Sequence, residues 1–198
     1  MHKILGVTVI AAAALSAGLL AARAAAPDPR VAPALEEARQ ISAELGQQLQ
    51  ELLGKELAAG GFTGAVRVCS ETALKTTEDF SARKGRYVRR VTLKNRNPAH
   101  KPDDYERARL VEFDRLNEQR ELPAEHFEVA ADGGQEVLCY MKPVKTGGVC
   151  LTCHGPSDGI PAEVKAILAE RYPDDLAIGY QANQVRGAIS VRIALPPR

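Results

Sequence analysis

Five consecutive residues constrain this chain more than anything else in it: Cys150-Leu151-Thr152-Cys153-His154. Two cysteines two residues apart, followed at once by histidine, form the attachment pattern of c-type haem. Each thiol adds across a haem vinyl group to give a thioether, and the two-residue spacer lets both sulfurs meet one porphyrin edge. The adjacent histidine then lies under the iron as an axial ligand. A chain with this motif is expected to carry one covalent haem c with its iron. Three other uses of the same residues compete. A thioredoxin-like dithiol wants a βαβ setting that the sequence does not suggest. A zinc site needs a second close-spaced pair, which is missing. A disulfide between the two cysteines is sterically allowed.

The N-terminal residues suggest where such chemistry takes place. A short positive start, His2-Lys3, is followed by the apolar run from Ile4 to Leu20 and then by small residues around Arg23. This is the three-part pattern of a secretory signal peptide. Ala22-Arg23-Ala24 supplies the A-x-A cleavage site, so residues 1–24 are expected to be removed; a cut after Ala26 would put Pro27 beside the scissile bond. The alternative is an uncleaved membrane anchor, for which the run is slightly short of the roughly 20 residues of a spanning helix. Export leads to an oxidising, periplasmic compartment that permits disulfides. Removing 24 of the 198 residues leaves 174, enough for a single domain over residues 34–198 after a linker at 25–33. The leader takes Lys3 and Arg23 with it, so 24 basic residues face 25 acidic ones, a net charge of −1 that attracts no nucleic acid.

Hydrophobic spacing gives the outline of that domain. Leu35, Ala38, Ile41, Leu45, Leu49, Leu52 and Leu53 recur at three- and four-residue steps and predict a long helix from Ala34 to Ala59, ended by Gly60-Gly61. A second helix is expected from Thr63, with Ala65, Val66, Cys69, Thr72 and Ala73 on its stripe. Tyr87–Leu93 reads as a strand and Asn95–Pro98 as a turn. Asp103, with Glu106 three residues on, forms a capping box for a third helix. Phe127–Ala130 and Val137–Met141 flank Asp132-Gly133-Gly134 as a hairpin. A fourth helix runs from Pro161 to Arg171, and Gly187–Leu195 alternates as a closing strand. Helices first, then helices among hairpin strands, predict an antiparallel α+β domain.

Two questions stay open on spacing alone. The sixth iron position has Cys69, Cys139, Met141, His100 and His126 as candidates, or no protein ligand. Methionine would raise the potential and a thiolate would lower it. Against these stand a Cys69–Cys139 disulfide, core packing of Met141 and a solvated His100 in a polar turn. Arg83, Lys84, Arg86, Arg89, Arg90, Lys94 and Arg96 crowd one region. An arginine fork suits a haem propionate, with Arg90 and Arg96 the favoured contacts; the alternative is a charged strand edge.

Several segments bear on the first question. They are Ala65-Val66-Arg67-Val68-Cys69-Ser70, Val88 through Pro98, Pro102-Asp103-Asp104-Tyr105-Glu106, Tyr140-Met141-Lys142-Pro143, the haem motif with Gly155, and Ile178-Gly179-Tyr180 through Arg186-Gly187-Ala188-Ile189-Ser190-Val191. In this order they resemble a family of exported, single-haem, PAS-like c-type cytochromes, long catalogued as a domain of unknown function and found also as a sensing module. The resemblance implies a PAS-like antiparallel sheet with flanking helices and Cys/His axial ligation, with the ligand cysteine falling on Cys69. The chain departs from the family at Asn183-Gln184, where a Gly-Asp pair is usual, and at His100, usually asparagine. Such a closed site implies one-electron transfer or redox sensing with an unidentified partner protein. A nitric oxide or carbon monoxide sensor subunit is the alternative, and a peroxidase-like enzyme, which needs an open iron, is disfavoured. N-terminal sequencing of the exported protein is expected to begin near Ala25; Met1 retained in a membrane fraction would show an anchored form.

Overall fold

The structure is a computed structural model that describes residues 28–198, the side chains of residues 68–71 excepted. The proposed leader and residues 25–27 of the expected linker lie outside the described residues. No helix among the described residues is long and apolar enough to cross a membrane.

Helix α1 spans Val31–Lys84 and is broken at Gly61, whose φ of 61° and ψ of −159° suit glycine alone. The first stretch begins three residues before the expected start at Ala34. Arg30 holds that start in place, donating to Asp28, to Glu136 and to the Pro196 carbonyl. At Gly61 the chain turns back on itself. Near the end of the second stretch Lys84 pairs with Glu44 at 2.7 Å, and just beyond it Arg86 pairs with Glu37 at 2.9 Å, both from the first stretch.

Strand β1 (Tyr87–Val91) follows, then α2 (Asp104–Glu118), β2 (His126–Asp132), β3 (Gln135–Lys145), the single-turn α3 (Leu151–His154), α4 (Ala162–Arg171) and β4 (Val185–Ala194). The strands form one antiparallel sheet in the order β1-β4-β3-β2. The Asp103–Glu106 capping box forms as expected at the start of α2. The hairpin turns at Gly133-Gly134, both with positive φ. Strand β1 stops two residues earlier than its composition suggests. Thr92 leaves the ladder because its N–H donates to the His100 carbonyl (3.1 Å) and its hydroxyl to the Arg186 carbonyl (2.7 Å).

Alternation along the strands sorts the sheet into two faces. Val88, Leu138, Tyr140, Ile189, Val191 and Ile193 pack under Ala38, Ile41, Leu45 and Phe80 of α1. Val91, Met141, Val185 and Ala188 pack under Leu110 and Phe113 of α2. A third cluster joins Val66 of α1 to Ile160, Val164, Ile167 and Leu168 in and around α4. The sheet, the broken helix and α4 thus surround the segment that carries α3.

One glycine sets how closely β4 approaches β1. A Cβ on Gly187 would sit 2.3 Å from the Val91 carbonyl oxygen, which no side chain tolerates without backbone movement. Gly54, in an exposed part of α1, meets nothing within 4 Å. Gly187→Ala is therefore expected to destabilise the fold by about 2 kcal/mol through overpacking. Gly54→Ala is expected to stabilise it by about 0.5–1 kcal/mol through helix propensity. Denaturant titration of both variants checks the opposite signs.

Candidate functional site

A cavity of about 430 Å³ lies between α1, the sheet and the segment carrying α3. The hydrophobic stripe of α1 serves two purposes. Its N-terminal part covers the sheet, and its continuation, Leu49, Leu53 and Leu57, lines the cavity. Beyond the break, Phe62, Ala65, Val66, Ala73 and Leu74 add a second apolar wall, and Ile189 closes the sheet side. A polar group comes from the end of β1, the loop after it and the start of β4: Arg90, Thr92, Arg96, His100 and Arg186.

Cys150, Cys153 and His154 all line this cavity. The one-turn helix α3 brings the second cysteine and the histidine to the same place. His154 Nδ1 lies 2.7 Å from the Ala177 carbonyl oxygen. A carbonyl only accepts, so Nδ1 carries the proton and Nε2 keeps its lone pair, as a metal-ligating histidine requires. Burial, helped by the positive charges of Arg186 and Arg96, lowers the pKa of His154 to about 2 and keeps the ring neutral. Tyr180 meets that ring edge-on, with centroids 6.3 Å apart.

The loop that supplies Ala177 is stitched to α3. Gly179 N–H donates to the Gly155 carbonyl and Tyr180 N–H to that of His154. Arg96 bridges the two segments: Nη2 donates to the Cys153 carbonyl at 2.5 Å and Nε to Asp175 Oδ2 at 2.9 Å. The other Asp175 oxygen accepts from the Ala177 N–H at 2.8 Å. Asp175, in the Asp174-Asp175 acidic turn, is therefore a structural residue acting on the site. Arg96, favoured from sequence as a propionate contact, lines the cavity but has its guanidinium occupied by this bridge.

Arg90 lies on the cavity face of β1 and donates Nη2–H to His100 Nε2 at 3.1 Å. His100 is not the solvated turn residue its surroundings in sequence suggest. Burial first, then the charges of Arg90, Arg186 and Arg89, lower its pKa to about 3, so it stays neutral and accepts from Arg90. Its Nε2 faces arginine rather than an open coordination position. Met141, Cys139 and His126 are separated from the cavity by the sheet. Met141 is wholly buried in the α2 core, His126 lies against Phe113, and Cys139 shares their face. Cys139 is a free thiol on the side away from α1. Cys69 falls in the second stretch of α1, and its side chain lies outside the described residues.

Arg186 was missed from sequence. It stands one residue ahead of the expected closing strand, and only the glycine after it hinted at a tight approach. The donor set as a whole, two thiols and one oriented imidazole on an apolar cavity with a basic end, fits the covalently held haem that the motif predicts.

The sequence model of the Tll0287-like family matches residues 22–194. Among solved structures, the chain is similar to one described as the cyanobacterial heme-protein Tll0287. The identity is 25% and the TM-score 0.64, over 86% of this chain and 99% of that one. No curated protein matches the chain. The Arg96–Asp175 pair is largely buried, with side chains 12% and 10% exposed. Asp175→Ala, which leaves Arg96 without its carboxylate and Ala177 without its anchor, is expected to cost about 3 kcal/mol, measured by chemical denaturation.

Proposed function

The chain belongs to the Tll0287-like family, and from that membership we propose that it is a periplasmic c-type cytochrome. It holds one haem by thioethers to Cys150 and Cys153, with His154 and Cys69 as axial ligands. The observation that carries this reading is the convergence of Cys150, Cys153 and a His154 with its Nε2 lone pair free on one apolar cavity. A solved relative described as a heme-protein supports the same cofactor.

The bound haem supplies a one-electron couple, Fe(III)/Fe(II). The protein residues set its terms. Ala177 fixes the His154 tautomer and ring direction. Leu49, Leu53, Phe62 and Ile189 exclude water. Cys69 is the second axial donor because Ala65, Val66 and Ala73, three or four residues to either side of it on α1, line the cavity, in agreement with the ligand position that the family resemblance implies. A thiolate donor stabilises the ferric state and lowers the potential. Two protein ligands close both axial positions, so the role we assign is one-electron transfer or redox sensing, and not catalysis.

Expression with an exported haem-maturation system is expected to yield a red protein whose haem survives denaturation and acid-acetone extraction. Changing both Cys150 and Cys153 to Ser should release it. Cys69→Ser should remove the low-spin thiolate EPR signal and raise the reduction potential. Extraction-resistant haem in the double variant would overturn covalent attachment at this motif, and a Cys69→Ser protein with unchanged EPR spectrum and potential would overturn the axial assignment.

A further inference from the structure

Three guanidinium groups line the cavity, and they are not equivalent. Arg96 is occupied by Asp175 and by the carbonyls of Cys153 and Ala177. Arg90 donates to His100. Among the described residues Arg186 has only neutral hydrogen-bond partners: Nη1 donates to Thr92 Oγ1 at 2.9 Å and to the Lys94 carbonyl at 3.3 Å. The Tyr180 ring lies 5.3 Å from its Cζ.

The surroundings of Arg186 are short of negative charge. Arg90, Lys94, Arg96 and the neutral His100 stand on β1 and the loop after it, and His154 on α3. Tyr180 and Asp175 come from the loop that follows α4. Asp175 is the carboxylate whose field reaches Arg186, but its oxygens are taken by Arg96 and the Ala177 N–H. Asp114 and Glu118 of α2 share a smaller cavity of about 280 Å³ with Arg186, yet neither forms an ion pair with it among the described residues. Burial lowers the pKa of Arg186, whereas Arg192, paired with Asp103, has its pKa raised. A guanidinium drawn out of water with five donors and, among the described residues, no charged acceptor is a costly arrangement unless a carboxylate arrives with a ligand.

We propose that Arg186 is the anchor for a haem propionate, its fork oriented by the Thr92 hydroxyl and the Lys94 carbonyl. Arg96 is then a structural clasp, and Arg186 supplies the contact that the basic stretch was expected to supply. Gly187 contributes by letting β4 lie close enough to β1 for the Thr92–Arg186 bonds to form. This inference rests on the haem reading above.

The test is spectroelectrochemical titration of the holoprotein from pH 5 to 9, for the wild type, Arg186→Gln and Arg186→Lys. Removing the cation should favour ferric iron and lower the potential. It should also raise the propionate pKa into the titrated range, so that the potential falls further as pH rises, whereas the wild type stays flat there. Arg186→Lys should lie between the two. A wild-type potential and pH profile in Arg186→Gln would overturn the proposal, and so would a lower potential with no new pH dependence, which marks a nearby charge without contact. If Arg186→Gln gives no holoprotein, the propionate resonance Raman bands of Arg186→Lys decide: shifted bands support the contact and unchanged bands refute it. Haem that is not covalently bound in the wild type defeats the underlying reading, whereas bound haem indifferent to Arg186 defeats only this one.

Discussion

Arg96 reaches from the loop after β1 to two other parts of the chain at once, and the site's geometry depends on that reach. One arm holds Asp175, which in turn holds the Ala177 amide; the other holds the Cys153 carbonyl. The Ala177 carbonyl then accepts a hydrogen bond from His154 Nδ1–H. The direction of one imidazole is thus set by a relay of charge-assisted contacts that starts on the far side of the cavity. Because Arg96 and Asp175 are both shielded from solvent, the pair is screened less than a surface ion pair.

The sheet does the sorting that a linear motif cannot. Period-two alternation sends Tyr140 toward α1 and its neighbour Met141 toward α2. One strand therefore contributes to two separate cores, and of its consecutive residues only one set shares a face with the cavity. This keeps Met141 and Cys139 off the cavity without any appeal to their chemistry. It also explains how a chain with few aromatic residues assembles a large apolar site: leucines spaced along one helix do that work, first against the sheet and then against the cavity.

What was legible in the sequence is what local chemistry encodes. The CxxCH motif is contiguous, so the three residues it brings to the cavity could be named directly. The capping box at Asp103, the break at Gly61 and the hairpin at Gly133-Gly134 depend on residues within a few positions of one another, and each appears where expected. What the sequence did not show are contacts made beyond its local neighbourhood. Arg96 looked available because its carboxylate lies 79 positions away. His100 looked solvated because the arginine that faces it comes from a neighbouring strand. β1 ended early because Thr92 found partners at positions 100 and 186 rather than in the ladder. Arg186 carried no periodic signal at all, since it sits where loop becomes strand.

The broken helix has a mechanical consequence. Its two arms are pinned together near their open ends, where Lys84 meets Glu44 and Phe80 enters the first core. The bend at Gly61 lies 17 residues farther along the first arm, about 25 Å at 1.5 Å per residue. The cavity wall runs between these two ends, with Gly46, Leu49, Leu53 and Leu57 on the first arm and Leu74, Ala73, Val66 and Phe62 on the second. Joined by the chain itself at Gly61 and by contacts at the other end, the two arms form a closed frame around one side of the cavity. They cannot spread there without drawing Phe80 out of the first core.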